Sequence, residues 1–384
     1  MTMFSRRTGW KLAPNRFTLA HQDLLREGRE VLDLTVSNPT RAGFVYDEVA
    51  ILDALRNPKS LDHDPQSKGL LSARKAVAKY HSPGFDPESL VLTTSTSEGY
   101  SYVFRLLCNP GDEVLVPKPS YPLFDFLADL QDVQLVPYPL IYDHGWQIDL
   151  PTLEQTITEK TRAVVLVHPN NPTGSYVSTE ERARLNQLCA ERPLALIVDE
   201  VFLDYSLDGH RQESFATNRQ ALTFTLSGLS KISALPQMKL AWIIVSGPEK
   251  EASEATHRLE VIADTYLSLN APVQLAAKAL LGQRETIQPQ LMRRIQTNLS
   301  ELDQQLARQK SCGRLTVEGG WYAVLRVPVT KSDEDLAIQL LREHSVLVHP
   351  GHFYDFPNDG YLVLSLITPE ATFREGISRL LPAI

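Results

Sequence analysis

Short apolar runs alternate with stretches of helical spacing from about residue 66 to residue 245, and no other feature of the chain constrains its fold as tightly. The runs cover residues 90–94, 113–116, 133–136, 163–167, 194–198, 222–226 and 240–245. They are apolar almost throughout rather than alternating, which is the pattern of strands covered on both faces. Patterns of helical period fill most of the gaps, among them 67–81, 97–108 and 178–190. Strand, helix, strand in that order specifies βαβ units. We therefore expect an α/β fold whose large domain holds a seven-stranded, mainly parallel sheet flanked by helices.

The texture changes after residue 250. Helical stretches at 249–264, 271–281 and 286–309 precede strand-like segments at 315–317, 322–327, 346–348 and 361–366. This reads as a smaller α+β domain. At 384 residues the chain also exceeds what one hydrophobic core usually organises. The expected division is a large domain at 46–274 and a small domain built from both termini, 1–45 and 275–384. The stretch 286–309 is rich in Gln and Arg and reads as a helix with a solvated face.

Composition narrows the function. A net charge of -8 argues against a nucleic-acid surface, which needs a basic stripe. No segment approaches the roughly 20 apolar residues of a membrane span. The segment MTMFSRRTGWKLAPNRF has two arginines but no apolar stretch after them, so it does not read as a secretory signal. Cys108, Cys189 and Cys312 form neither a CxxC pair nor a disulfide framework, which fits a reducing cytoplasm. No internal repeat or low-complexity linker separates the two domains.

Ligands of open α/β sheets bind beyond the carboxyl ends of the strands, so the residues after each run matter most. Ser95-Thr96-Ser97-Glu98-Gly99 follows the first run, and Pro117-Lys118-Pro119-Ser120-Tyr121-Pro122 the second. His168-Pro169-Asn170-Asn171-Pro172-Thr173-Gly174 follows 163–167, and Asp199-Glu200 follows 194–198. Ser227-Gly228-Leu229-Ser230-Lys231 follows 222–226. Burying an ammonium without a partner is costly, and one reason to place Lys231 there is to hold an aldehyde cofactor as a Schiff base. The other strand ends supply what pyridoxal 5'-phosphate needs. Thr96 and Ser97 offer hydroxyls and amides to a phosphate at a helix N-terminus, and Tyr121 offers a ring face for stacking. Asn171 offers an amide to the 3-oxygen. Asp199 offers a carboxylate that keeps the ring nitrogen protonated, so that the ring acts as an electron sink. Each residue also has a bland reading: helix cap, core tyrosine, turn asparagine, buried ion pair. Their arrival in order along one sheet is what the bland readings do not explain.

Here the chain resembles the fold type I pyridoxal-phosphate-dependent aminotransferases of class I/II. The segments that carry the resemblance are CNPGDEVLVPKPSYP (108–122), HPNNPTG (168–174), IVDEVFLDY (197–205), LSGLSK (226–231) and VLVHPGHF (346–353). It implies that Lys231 carries the cofactor and shuttles protons, and that Asp199 pairs with the ring nitrogen. It also implies that Asn171 meets the 3-oxygen, Tyr121 the ring face, and Thr96 and Ser97 the phosphate. It further implies a homodimer that transfers an amino group from an amino donor to a 2-oxo acid acceptor.

Four positions depart from the family pattern. Lys239 stands where the family has an arginine on the phosphate, keeping the charge but losing the planar fork. Phe202 replaces a tyrosine that donates to the 3-oxygen, with Tyr205 or Tyr266 as possible substitutes. His63 aligns with an interface tyrosine. Val363 occupies the position of the arginine that grips the substrate carboxylate, which a valine cannot do. Arg41 is the candidate replacement, and Arg326 a second.

His349 and His352 flank a Pro-Gly, but no further ligands complete a metal set, and no metal is expected. The expected activity is transamination. A lyase, decarboxylase or racemase using the same lysine is the alternative, as is a cofactor-binding protein that has lost catalysis.

Overall fold

The computed structural model describes residues 3–82, 84–122, 124–209 and 212–384. After a short strand β1 (Leu32–Asp33), the chain forms β2 (Leu90–Thr93), β3 (Glu113–Lys118), β4 (Gln134–Tyr142) and β5 (Trp146–Ile148). It continues with β6 (Thr161–Val167), β7 (Ala195–Asp199), β8 (Thr223–Gly228) and β9 (Ala241–Ser246). Strands β2 to β9 make one sheet in the order β2-β9-β8-β7-β6-β3-β4-β5. The run from β8 to β4 is parallel, while β9 and β5 run antiparallel to their neighbours. All seven expected strands are present, and β5 makes eight among the described residues. This extra edge strand is three residues long and follows a tight turn in which the Asp143 amide donates to the Gly145 carbonyl. So short a segment carries no periodicity to read.

Alternation along the strands divides the large core in two. In β6, Ala163, Val165 and Val167 face helices Thr96–Leu107 and Glu249–Tyr266, while Val164 and Leu166 face helix Thr179–Glu191. At the other end of the sheet, Leu90, Leu92, Trp242 and Ile244 pack on helices Leu71–His81 and Ala271–Gly282. Coverage of both faces explains why these strands read as unbroken apolar runs.

The remaining strands are β10 (Gly313–Arg314), β11 (Tyr322–Arg326), β12 (Val346–Leu347), β13 (His349–Pro350) and β14 (Tyr361–Ser365). A four-stranded antiparallel sheet runs β10-β11-β14-β13, and β12 pairs with β1 in parallel. The strand expected at 315–317 lies at Gly313–Arg314 instead. One apolar core joins this sheet to helix Arg16–Arg26 through Phe17, Ala20 and Leu24, and to helix Arg284–Leu306 through Ile287, Leu291, Ile295 and Leu302. Helix Arg284–Leu306 is therefore solvated on one face only. On the other face, the Asn298 side-chain amide donates to the carbonyls of Leu366 and Thr368 at 2.9 and 2.8 Å.

Both ends of the chain meet in this second region. The Ser365 amide donates to the Leu34 carbonyl at 2.8 Å, and the Ser365 hydroxyl donates to the Val36 carbonyl. These bonds fix residues 34–36 beside β14. Residues before the first helix reach elsewhere: Trp10 Nε1 donates to Asp129 at 2.7 Å, on helix Phe124–Asp129.

Candidate active site

The two sheets enclose a cavity of about 400 Å³ at the carboxyl ends of the parallel strands. Strand directions account for its contents. The segments after β2, β3, β6, β7 and β8, and the one before β9, all emerge at the same edge of the sheet. Thr96, Ser97, Tyr121, Asn171, Asp199, Lys231 and Lys239 all line this one cavity.

Lys231 lies in the single helical turn Leu229–Ile232 after β8. The approach to it depends on Gly228: a Cβ there would sit 2.8 Å from the Ala241 Cβ, so only glycine lets β8 and β9 close up at this edge. The lysine amine rests 4.6 Å from the Trp321 ring centroid and 5.3 Å from that of Phe202. Burial among these rings lowers its pKa to about 8, against a smaller opposing pull from Asp199. About a tenth of the amine is then neutral at pH 7, against about three parts in ten thousand for an ordinary lysine.

Asp199 ends β7, and burial raises its carboxyl to about 6. Its Oδ1 accepts the Val201 amide at 3.1 Å and its Oδ2 accepts the Tyr100 hydroxyl at 3.3 Å. The acid therefore keeps capacity for a cation arriving from the cavity.

Asn171 is set by a rigid turn. The Asn170 side chain donates to the Pro119 carbonyl at 3.1 Å and to Thr173 Oγ1 at 2.9 Å. Gly174 closes the turn at φ 73°, where a Cβ would lie 2.5 Å from the Gly319 carbonyl. Within this frame the Asn171 side chain is 7% exposed, and its Oδ1 has no hydrogen-bond partner. An unpaired buried amide oxygen is costly, and a ligand that donates to it from the cavity would relieve the cost.

Helix Thr96–Leu107 is capped by Ser95, whose hydroxyl accepts the Glu98 amide at 3.2 Å. The amides of Thr96 and Ser97 find no partner among the described residues, so the positive end of the helix is open to an anion. Lys239 stands on the neighbouring segment, exposed and in the left-handed conformation at φ 52°. Tyr121 is 41% exposed, with its ring against Phe124.

Other expectations fall elsewhere. Arg41 is exposed on the turn Pro39–Arg41 and does not line the cavity. From the same segment, Thr35 and Ser37 do. The bonds to Ser365 hold residues 34–36 at the rim, and the turn after Asn38 leads Arg41 away. Arg326 is exposed at the end of β11. Val363 is 1% exposed in the apolar core. Neither substitute hydroxyl for Phe202 reaches the cavity: Tyr205 donates to the Lys231 carbonyl at 2.6 Å, and Tyr266 stacks on Tyr102. His63 lines a separate cavity of about 430 Å³, beside Ser67 and Gln274. His349 lines the main cavity, whereas His352 is exposed.

Sequence reasoning missed Tyr100, Trp321, Tyr322 and Tyr354, and did not assign His349 to the cavity. Tyr100 lies one turn beyond Thr96 on the same helix, a spacing that would have found it. The others come from the second sheet and the segments flanking its strands, and no local signal marks them.

The sequence profile of the family described as aminotransferase class I and II matches residues 29–380. The glutamate-pyruvate aminotransferase AlaA of Haemophilus influenzae is 28% identical over 376 residues, covering 94% of this chain and 93% of that protein. The alanine aminotransferase of Mycobacterium tuberculosis is 29% identical over 382 residues, covering 94% and 87%. Among solved structures, the alanine aminotransferase from Pyrococcus furiosus superposes with a TM-score of 0.88 at 23% identity, covering 98% of each chain.

Proposed function

This chain belongs to the class I and II aminotransferases, and we propose that its transaminase reaction runs in the cavity between the two sheets with pyridoxal 5'-phosphate as cofactor. The observation that carries the assignment of the site is the meeting of a lysine, a carboxylate, an unpaired asparagine and an open helix N-terminus in one cavity. When bound, the cofactor supplies an electron sink for the carbon that loses a proton.

The chain's own residues would then act as follows. Lys231 Nζ would hold the cofactor's aldehyde carbon, and the same nitrogen, when free and neutral, would take the proton from the donor's Cα and hold it for return. Its lowered pKa keeps enough of it neutral to serve as base. Asp199 keeps the ring nitrogen protonated, and Asn171 meets the 3-oxygen. Tyr121 flanks the ring. The amides and hydroxyls of Thr96 and Ser97, with Lys239, hold the phosphate. The acceptor is a 2-oxo acid, and the names of the relatives support alanine or glutamate and their oxo acids as the first pairs to test.

We also propose that the chain acts as a cytoplasmic homodimer and divides functionally at 46–274 against both termini. The apolar residues Val49, Leu52 and Leu61, exposed at 71, 55 and 92%, lie close in sequence to His63 and suit a face that meets a second copy. Sedimentation of the purified protein tests this.

Borohydride reduction of the protein loaded with cofactor, followed by peptide mapping, should place the adduct on Lys231. Without any acceptor, an amino acid should yield one equivalent of 2-oxo acid per chain and no free ammonia. A colourless protein, an adduct elsewhere or stoichiometric ammonia would overturn the reading.

A further inference from the structure

His349 on β13 is paired in register with Val363 on β14, so the two side chains stand on one face of the ladder. Val363 is sealed in the core, while His349 reaches the cavity. His349 Nδ1 lies 3.1 Å from the Tyr354 hydroxyl. Tyr354 is 6% exposed, and burial holds its hydroxyl well above the usual range, so it keeps its proton. That hydroxyl has no other acceptor among the described residues, which favours its donating to Nδ1. In that arrangement the ring proton sits on Nε2. Nε2 forms no hydrogen bond among the described residues.

The surroundings disfavour the imidazolium. Burial lowers its pKa, with the charge of Asp33 opposing. Tyr354 and the Phe353 ring, 5.7 Å away, are its other neighbours. Tyr322, on β11, also lines the cavity, and its hydroxyl forms no hydrogen bond among the described residues. Lys231 and Lys239 are the lysines and arginines of the lining among the described residues, and both belong to the large sheet's edge. The wall made by the small sheet therefore offers an anion neutral donors and no guanidinium.

Resting on the transaminase reading, we propose that His349, held in its Nε2–H form by Tyr354, is the specificity-determining residue that receives the carboxylate of the amino-acid donor. A single neutral donor binds an anion more weakly than a bidentate guanidinium. A bound carboxylate favours the imidazolium, so donor binding tightens as pH falls through the titration of His349.

The test compares the loaded wild-type enzyme with His349→Phe and His349→Gln. The Phe variant should raise KM for the amino acid about tenfold or more, with kcat changed less than about threefold. The Gln variant, which restores an N–H donor, should recover part of that loss. The amine obtained by decarboxylating the same donor should bind all three proteins alike. Equal losses for both donors, or an unchanged KM in the Phe variant, overturn the proposal. If the Phe variant does not fold, titration of wild-type protein with propionate decides. The ¹⁵N resonances of His349 should report a raised imidazole pKa when propionate binds, and no movement overturns the proposal. Failure of the transaminase reading shows itself separately, as absence of the Lys231 adduct in wild-type protein, and the propionate titration still applies to that chain.

Discussion

Around one cavity, the edge of the large sheet holds an amine and a carboxylate at adjacent strand ends, whereas the small sheet presents hydroxyls and an imidazole. The first wall comes from parallel strands buried on both faces, and its titrating groups are shifted by that burial: Lys231 down to about 8 and Asp199 up to about 6. The second wall, with Tyr322, His349 and Tyr354, comes from antiparallel strands and loops that are joined to the first by packing of Phe202 and Tyr205 on Trp321 and by polar bonds. Among these, the Ser120 amide donates to the Tyr354 carbonyl at 2.9 Å, and Lys118 pairs with Asp355 at 3.1 Å. The contrast fits the proposed roles, with reaction chemistry on one wall and recognition on the other.

The hardest blow to that contrast would come from Lys231→Ala. Turnover should fall by at least about 10⁴-fold with the far-ultraviolet circular dichroism unchanged. A modest loss would move the chemistry off the large sheet's edge.

Asp199→Asn should lower turnover on the order of 10²-fold, yet stabilise the cofactor-free protein at pH 8. The sign follows from the raised carboxyl. Its stabilising contribution is present below the unfolded pKa near 4 and lost as pH rises through about 6. Removing the charge should recover on the order of 1–3 kcal/mol, read by urea denaturation at pH 8. Equal stability at pH 8 would show that the carboxylate is well solvated in the folded chain.

Cofactor uptake should sharpen the assignment of the amine. The initial rate of covalent attachment should rise about tenfold per pH unit below pH 8 and level off above it, following the neutral fraction of Lys231. A rise continuing beyond pH 10 would mean an ordinary lysine.

Smallest is the expected gain from Lys239→Arg. A planar fork at this exposed position should tighten cofactor binding about three- to fivefold, measured by equilibrium dialysis. Weaker binding would remove Lys239 from the phosphate end.

Legibility divides along the same line as the walls. The inner strands of the large sheet announced themselves because burial on both faces demands unbroken apolar runs, and the residues at their ends follow from topology. Thus Asp199 and Lys231 were readable from position alone. β5 escaped because three residues carry no period. Tyr322, His349 and Tyr354 escaped because their place depends on how a second sheet docks on the first, which no local pattern encodes. For Arg41, chosen because its loop resembles the family's substrate-covering segment, the same dependence shows: the hydrogen bonds of Ser365 hold residues 34–36 beside β14, and Thr35 and Ser37, not Arg41, line the cavity of this chain.

The stitching of residues 34–36 to β14, and of β1 to β12, carries a consequence for synthesis. A nascent chain that has emerged as far as β9 already owns Lys231 and Asp199, but the rim that carries them stays unwalled. Only after β14 leaves the ribosome does the amino-terminal segment find its mate and the vestibule close. Truncation before β14 would thus leave residues 34–36 without their partner strand.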